Sequence, residues 1–241
     1  MTFDPDSVKA LAFDIGGTVF NWHGAITEAV APLAAERGVE LDAAAFANDW
    51  RYRMFEILEQ VHLGARPWMN ADAMHRLALD DLMERYPRLG LDGNQRDTLN
   101  LVWHRMPAWP DAPPAIERLR GRYTTVVLTI LSWSIAVDSS KAAGIAWDGI
   151  ISADAIGLYK PNPKAYEKAA ELLALPPGQV MMVAAHPSDL RAAIKAGFRS
   201  AYVKPHLFDP GEDYTDTGFA EQFDVVAEDF PELCRKLLIS G

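Results

Sequence analysis

The chain has 241 residues, 49% of them hydrophobic and 23% charged, a balance that excludes a disordered polymer and is sufficient for a sizeable core. With 33 acidic residues against 23 basic ones, the net charge of −10 sets the bulk field against nucleic acid and anionic membrane surfaces. One cysteine, Cys234, excludes an internal disulfide and a thiolate zinc site.

The elements follow in chain order. Residues 9–13 are a short apolar run that stops at Asp14-Ile15-Gly16-Gly17-Thr18. From 21 to 106 there is no comparable strand signal. Instead Phe46, Trp50, Met54, Ile57, Leu58 and Val61 mark one face of a long helix with Asp42 as its N-cap. Asn70 caps a second helix carrying Met74, Leu77, Leu82 and Met83 and ended by Pro87; a third spans 94–105. Four prolines within 107–114 read as a stiff, extended connector. Beyond it, apolar runs at 124–131, 149–151, 180–185, 200–203 and 223–226 alternate with helical stretches at 112–120, 135–143, 163–173 and 188–196. The acidic stretch 209–216 reads as a solvated loop, and Cys234 as a buried thiol in the amphipathic stretch 230–239.

Strand alternating with helix predicts an α/β fold, a Rossmann-like doubly wound and mostly parallel sheet. The all-helical stretch is inserted in it after the first strand. The expected division is a core of 1–20 and 108–241 and a helical cap of 21–107. No apolar run approaches the ~20 residues needed to span a bilayer, and no basic–apolar–small leader opens the sequence. The expectation is a soluble, cytoplasmic protein with no nucleic-acid or membrane partner.

In such sheets ligands bind at the carboxyl ends of the strands. The first end presents Asp14, two glycines that let the backbone turn sharply, and Thr18, which can cap the helix that follows. An Asp that merely turns a strand into a loop is the bland alternative for this stretch, and actin-fold sugar kinases carry a similar phosphate loop. Later strand ends narrow the choice. Thr129 and Ser132 supply hydroxyls after one strand, Lys160 sits in the proline-flanked Tyr159-Lys160-Pro161-Asn162-Pro163, and Asp189 closes Ala184-Ala185-His186-Pro187-Ser188-Asp189. Carboxylate, hydroxyl, lysine and carboxylate on successive strand ends form a far more specific set than any one of them.

On these residues the chain resembles the haloacid dehalogenase superfamily, and within it the type II 2-haloacid dehalogenases with their fluoroacetate-attacking relatives. The resemblance covers nearly the whole chain and includes, in the cap, Asp49-Trp50-Arg51, Arg66-Pro67-Trp68, Trp103-His104-Arg105 and Trp109-Pro110-Asp111. It implies hydrolytic dehalogenation of short 2-haloalkanoic acids without a cofactor. Asp14 would be the nucleophile that forms an ester, Lys160 its neutralising cation, Arg51 the cap arginine that draws off halide, and Asp189 the group orienting Lys160 or water. Thr18, Thr129, Ile130, Tyr166 and His186 would line the substrate. A homodimer is what the family implies for assembly.

Gly16 supports the same branch on chemical grounds. Phosphatases of this superfamily protonate their leaving group with an Asp two places after the nucleophile, and glycine cannot transfer a proton. Halide departs without one. The sequence also departs from relatives that read Ser-Asn-Gly after the second strand. Ungapped spacing back from Tyr159-Lys160 puts Thr129 there, followed by Ile130 in place of Asn, whereas Leu131-Ser132-Trp133 needs a three-residue shift. His186 stands where many relatives have Asn. The remaining histidines, 23, 62, 75, 104 and 206, show no ligand spacing. Two other readings stay open: a phosphatase or phosphonatase-like enzyme with Mg held by Asp14 and Asp189, and a non-catalytic binding protein on the same fold.

Overall fold

A computed structural model describes residues 4–209, 214 and 218–238. In chain order the elements are β1 (Ala10–Phe13), α1 (Trp22–Glu36), α2 (Ala43–His62), α3 (Ala71–Arg85), α4 (Gly93–Asn100), α5 (Ala112–Arg120), β2 (Thr124–Thr129), α6 (Trp133–Ala142) and β3 (Gly149–Ser152). They continue with α7 (Ala153–Ile156), α8 (Pro163–Leu172), β4 (Val180–Ala184), α9 (Pro187–Lys195), β5 (Arg199–Val203), α10 (Phe219–Gln222), β6 (Val225–Ala227) and α11 (Phe230–Leu237). Two compact units result: 1–20 with 108–241, and 21–107.

In the first unit six parallel strands follow the order β3-β2-β1-β4-β5-β6. β1 and β4 are buried along their whole length, which explains why their sequences are continuous apolar runs and not alternating ones. The strand order reverses direction about β1, so the ends of β1 and β4 flank the switch point where open sheets take ligands. The register pairs Phe13 with Val127 on one side and Val183 on the other. Asp14 therefore leaves the sheet beside the ends of both neighbours, and its N–H donates to the Val183 carbonyl at 3.0 Å.

The prolines of 107–114 do not form an extended connector throughout. Pro113 and Pro114 open α5, where a helix has no use for the missing N–H. Cys234 is fully buried on α11, with its thiol 3.4 Å from the Ala115 carbonyl. Of the stretch 209–216, only Asp209 and Tyr214 lie among the described residues, and Asp209 is not solvated: it is 5% exposed.

The helical unit contains a helix that the pattern did not single out. α1 buries Trp22, Ala25, Ile26, Val30 and Ala34 along one face, and its interior Pro32 masks it in the sequence. Asn21 caps α1 by accepting from the Gly24 N–H at 2.8 Å, so Thr18 is not the cap. Asp42, Asn70 and Asp92 cap α2, α3 and α4, each by accepting the N–H three residues on. On α3 the buried face is Ala71, Met74, His75, Ala78, Leu79 and Leu82; Leu77 and Met83 of the expected face are only partly buried. Two alanines and a histidine carry no hydrophobic signal strong enough to outweigh Leu77. No helix of the described residues is long and apolar enough to cross a membrane.

Candidate active site

The loop after β1 positions the first carboxylate. Gly17 has φ 89, in the left-handed region that glycine occupies without a Cβ penalty. Its carbonyl accepts from the Trp109 indole N–H at 3.1 Å, which ties the loop to the start of the returning chain. Asp14 is left 6% exposed at the strand end.

Both Asp14 oxygens are engaged. Oδ1 accepts from the Lys160 ammonium at 3.1 Å. Oδ2 takes the Thr18 hydroxyl at 2.8 Å and His186 Nδ1 at 3.0 Å. The Thr18 hydroxyl itself accepts from the Ala185 N–H at 3.0 Å, which directs its one proton to Asp14. Burial pushes the Asp14 carboxyl up, but Lys160, His186 and Thr18 outweigh it and hold the group well below the usual carboxylate range. Asp14 is ionised.

Lys160 bridges two carboxylates, Asp14 and, at 2.5 Å, Asp189 Oδ2. Burial works against its charge, and the two aspartates more than restore it, so its pKa is raised. Tyr166 on α8 donates to Asp189 Oδ1 at 2.5 Å. Burial pushes the Tyr166 phenol up and the neighbouring Asp189 charge pushes it further, so it stays a donor. For Asp189 burial dominates, and its pKa is raised in spite of Lys160.

His186 caps no helix N–H with its side chain. It reaches instead from Asp14 Oδ2 to Asp209, with Nε2 3.6 Å from Oδ2 of the latter. Burial lowers its pKa, while hydrogen bonds and charge from Asp14 and Asp209 raise it to about 10.

The fold thus gathers Asp14, Thr18, Lys160, Tyr166, His186 and Asp189 into one hydrogen-bonded cluster. Thr18 and Tyr166, expected to line the substrate, each direct a hydroxyl proton to an aspartate, because a buried carboxylate needs donors that water can no longer supply. Thr129 ends β2 with its Oγ1 accepting from the Leu131 N–H at 3.1 Å, and Ile130 follows partly exposed. Ser132 is the N-cap of α6. Trp133 is 53% exposed in a groove with Val137, Lys141, Ile145 and Trp147. A Cβ on Gly16 would meet only the Leu131 side chain, Cδ1 at 3.4 Å and Cγ at 3.9 Å, in ordinary van der Waals contact.

In the helical unit Arg51 is 3% exposed on α2, its guanidinium carbon 4.7 Å from the ring centroids of both Trp22 and Phe55. Asp209 is the member of the core cluster that sequence reasoning missed. It stands in an acidic run with no periodic signal, 23 residues beyond His186.

The chain and its fold have known counterparts. Residues 8–197, well over half of the chain, match the family described as haloacid dehalogenase-like hydrolase. The (S)-2-haloacid dehalogenase 4A of Burkholderia cepacia is 26% identical over 96% of this chain and 97% of its own length. Among solved structures, a defluorinating L-2-haloacid dehalogenase is 34% identical with a TM-score of 0.86, covering 99% of this chain and 100% of that one. A second L-2-haloacid dehalogenase is 31% identical with a TM-score of 0.87, covering 97% and 100%. By sequence and fold together, the chain belongs to the haloacid dehalogenase-like hydrolase family.

Proposed function

We propose that the protein hydrolyses short 2-haloalkanoic acids to halide and a 2-hydroxy acid through an ester on Asp14. One observation carries the reading: an ionised, buried carboxylate stands at a strand end with a glycine where a leaving-group acid would be. Names of relatives such as (S)-2-haloacid dehalogenase agree with it.

Oδ2 receives two donors and Oδ1 one, so Oδ1 keeps the more available lone pair and is the nucleophile. Its pair forms the bond to the halogen-bearing carbon as the carbon–halogen pair leaves with halide. Lys160 holds Asp14 ionised and offers charge to the substrate carboxylate. Arg51, a cation whose near neighbours include two ring faces, is assigned to the departing halide. Water then adds to Cγ and gives a proton to Asp189, which Tyr166 and Lys160 fix in place. Thr129 and Ile130 at the end of β2 are assigned to the pocket wall.

Against the Mg-dependent alternative stands the ammonium of Lys160, which Asp14 and Asp189 already share. The test is halide release from chloroacetate and fluoroacetate beside phosphate release from p-nitrophenyl phosphate, each with Mg and with EDTA. The expected outcome is EDTA-insensitive halide release that falls by roughly 10⁴-fold or more in Asp14→Asn. Magnesium-dependent phosphate release in its place sinks the reading.

A further inference from the structure

Ester chemistry on Asp14 has two halves, and they ask opposite things of the groups around it. When Oδ1 attacks the substrate, Asp14 loses its negative charge, so a cation on Oδ2 opposes that step. When water adds to Cγ, the carbonyl π pair moves onto Oδ2 and full negative charge returns there. A cation on Oδ2 favours that step.

His186 is placed for the second half. Its Nδ1 is 3.0 Å from Asp14 Oδ2 and its Nε2 is 3.6 Å from Asp209 Oδ2. Nδ1 is at hydrogen-bond distance from Asp14 and Nε2 within ion-pair distance of Asp209, and an imidazole flanked by two carboxylates is favoured as the imidazolium. Asp209 is 5% exposed, and its backbone N–H donates to the Tyr214 hydroxyl at 3.3 Å. Thr18 supplies the second donor to the same Oδ2, at 2.8 Å. Both distances fall within the roughly 2.7–3.1 Å at which donors stabilise an oxyanion.

We propose that His186 and Thr18 form the oxyanion site for hydrolysis of the Asp14 ester, and that Asp209 is a positioning residue that keeps His186 there in its charged form. The proposal rests on the reading of Asp14 as an ester-forming nucleophile. In the step itself, the water oxygen bonds to Cγ, one water proton passes to Asp189, and the π pair is held on Oδ2. As that pair returns, the Cγ–Oδ1 bond breaks. The hydroxy acid leaves carrying the former Oδ1 and takes the proton back from Asp189. Asp14 regains its carboxylate by losing the remaining proton of the added water to solvent. The imidazolium donates throughout and never gives up its proton. Burial works against the charge on the ring, and the two carboxylates outweigh it, keeping the ring protonated up to about 10.

The experiment mixes enzyme with excess 2-chloropropionate and follows halide by rapid quench and the covalent adduct by intact mass spectrometry. For His186→Ala, which removes the donor, we expect a halide burst close to one per active site, accumulation of the ester, and turnover lower by about 10²-fold. For Asp209→Asn the same pattern follows with a loss of about tenfold, and Asp209→Glu moves burst and turnover back toward wild type. A residue that only supports the fold would lower burst and turnover together. Loss of the burst in a folded His186→Ala, or an Asp209→Asn enzyme indistinguishable from wild type, overturns the proposal. Should His186→Ala fail to fold, the two Asp209 variants decide the matter alone. Wild type that releases no halide takes down the dehalogenase reading with it. Wild type that releases halide beside variants that form no ester takes down this inference only.

Discussion

Two buried histidines, one in each unit, meet opposite fates. His75 in the helical unit is fully buried, its ring stacked on Trp103 at 3.8 Å and 2°, with no hydrogen-bond partner at either nitrogen among the described residues. Burial pushes its pKa well below 6.5, and the charges of Arg51 and His104 add to the fall. His186 in the core is buried too, yet its pKa rises to about 10. Desolvation has the same sign in both. The difference is two carboxylates. At about 4 Å and an effective dielectric near 20, one opposite charge is worth roughly 4 kcal/mol, or about 3 pKa units, enough to reverse the cost of burial.

The cations Lys160 and Arg51 repeat the contrast. Lys160 is locked by Asp14 and Asp189, while Arg51 lies over the faces of Trp22 and Phe55. Carboxylates neutralise a cation and fix its position, whereas each ring face adds about 0.5–2 kcal/mol.

Breaking the carboxylate side of this contrast should have the largest effect. Lys160→Met leaves Asp14 and Asp189 buried without their shared cation. Halide release should fall by roughly 10³-fold and unfolding free energy by about 3–5 kcal/mol, read from denaturant titration. Arg51→Lys keeps the charge but not the planar stacking, so halide release should fall roughly 10–100-fold while the melting temperature moves by only a few degrees. A stability loss matching that of Lys160→Met would mean that the planar stacking contributes more than the charge does.

The histidine contrast is sharpened by pH. His186, raised from 6.5 to about 10, contributes stability that is fully present below 6.5 and is lost as pH rises through about 10. Asp14, lowered from 3.8, contributes stability present above 3.8 and lost as pH falls further. Calorimetric melting temperature should therefore plateau between about 4 and 6.5, with an alkaline decline that flattens in His186→Asn. The smallest effect is expected at His75→Phe, which keeps the stack on Trp103 and removes two unsatisfied nitrogens. Stability should stay within about 1 kcal/mol and turnover within about twofold. A large loss would mean that the His75 nitrogens carry an interaction that the ring stacking does not explain.

Much of the fold was readable from local pattern. β1 and β4 are buried on both faces and so appear as unbroken apolar runs, and the α2 face from Phe46 to Leu58 keeps strict helical spacing. α1 was hidden by Pro32, and the α3 face was misplaced because His75 and two alanines fill it. At the site, the candidates came from strand-end motifs, but their partners did not. Nothing local tells that the Tyr166 hydroxyl meets Asp189, or that Thr18 serves Asp14 and not a helix.

The sequence by itself determined which strand ends carry Asp14, Lys160 and Asp189, and that Gly16 can donate no proton. Those are properties of residue type and of short-range spacing. Only the tertiary structure decided that a sheet ordered β3-β2-β1-β4-β5-β6 puts the ends of β1 and β4 side by side, and that Asp209 leaves its acidic run to meet His186. The charge of that histidine depends on two carboxylates 172 and 23 residues away in the chain, and Coulomb energy follows distance in space, which no local pattern records.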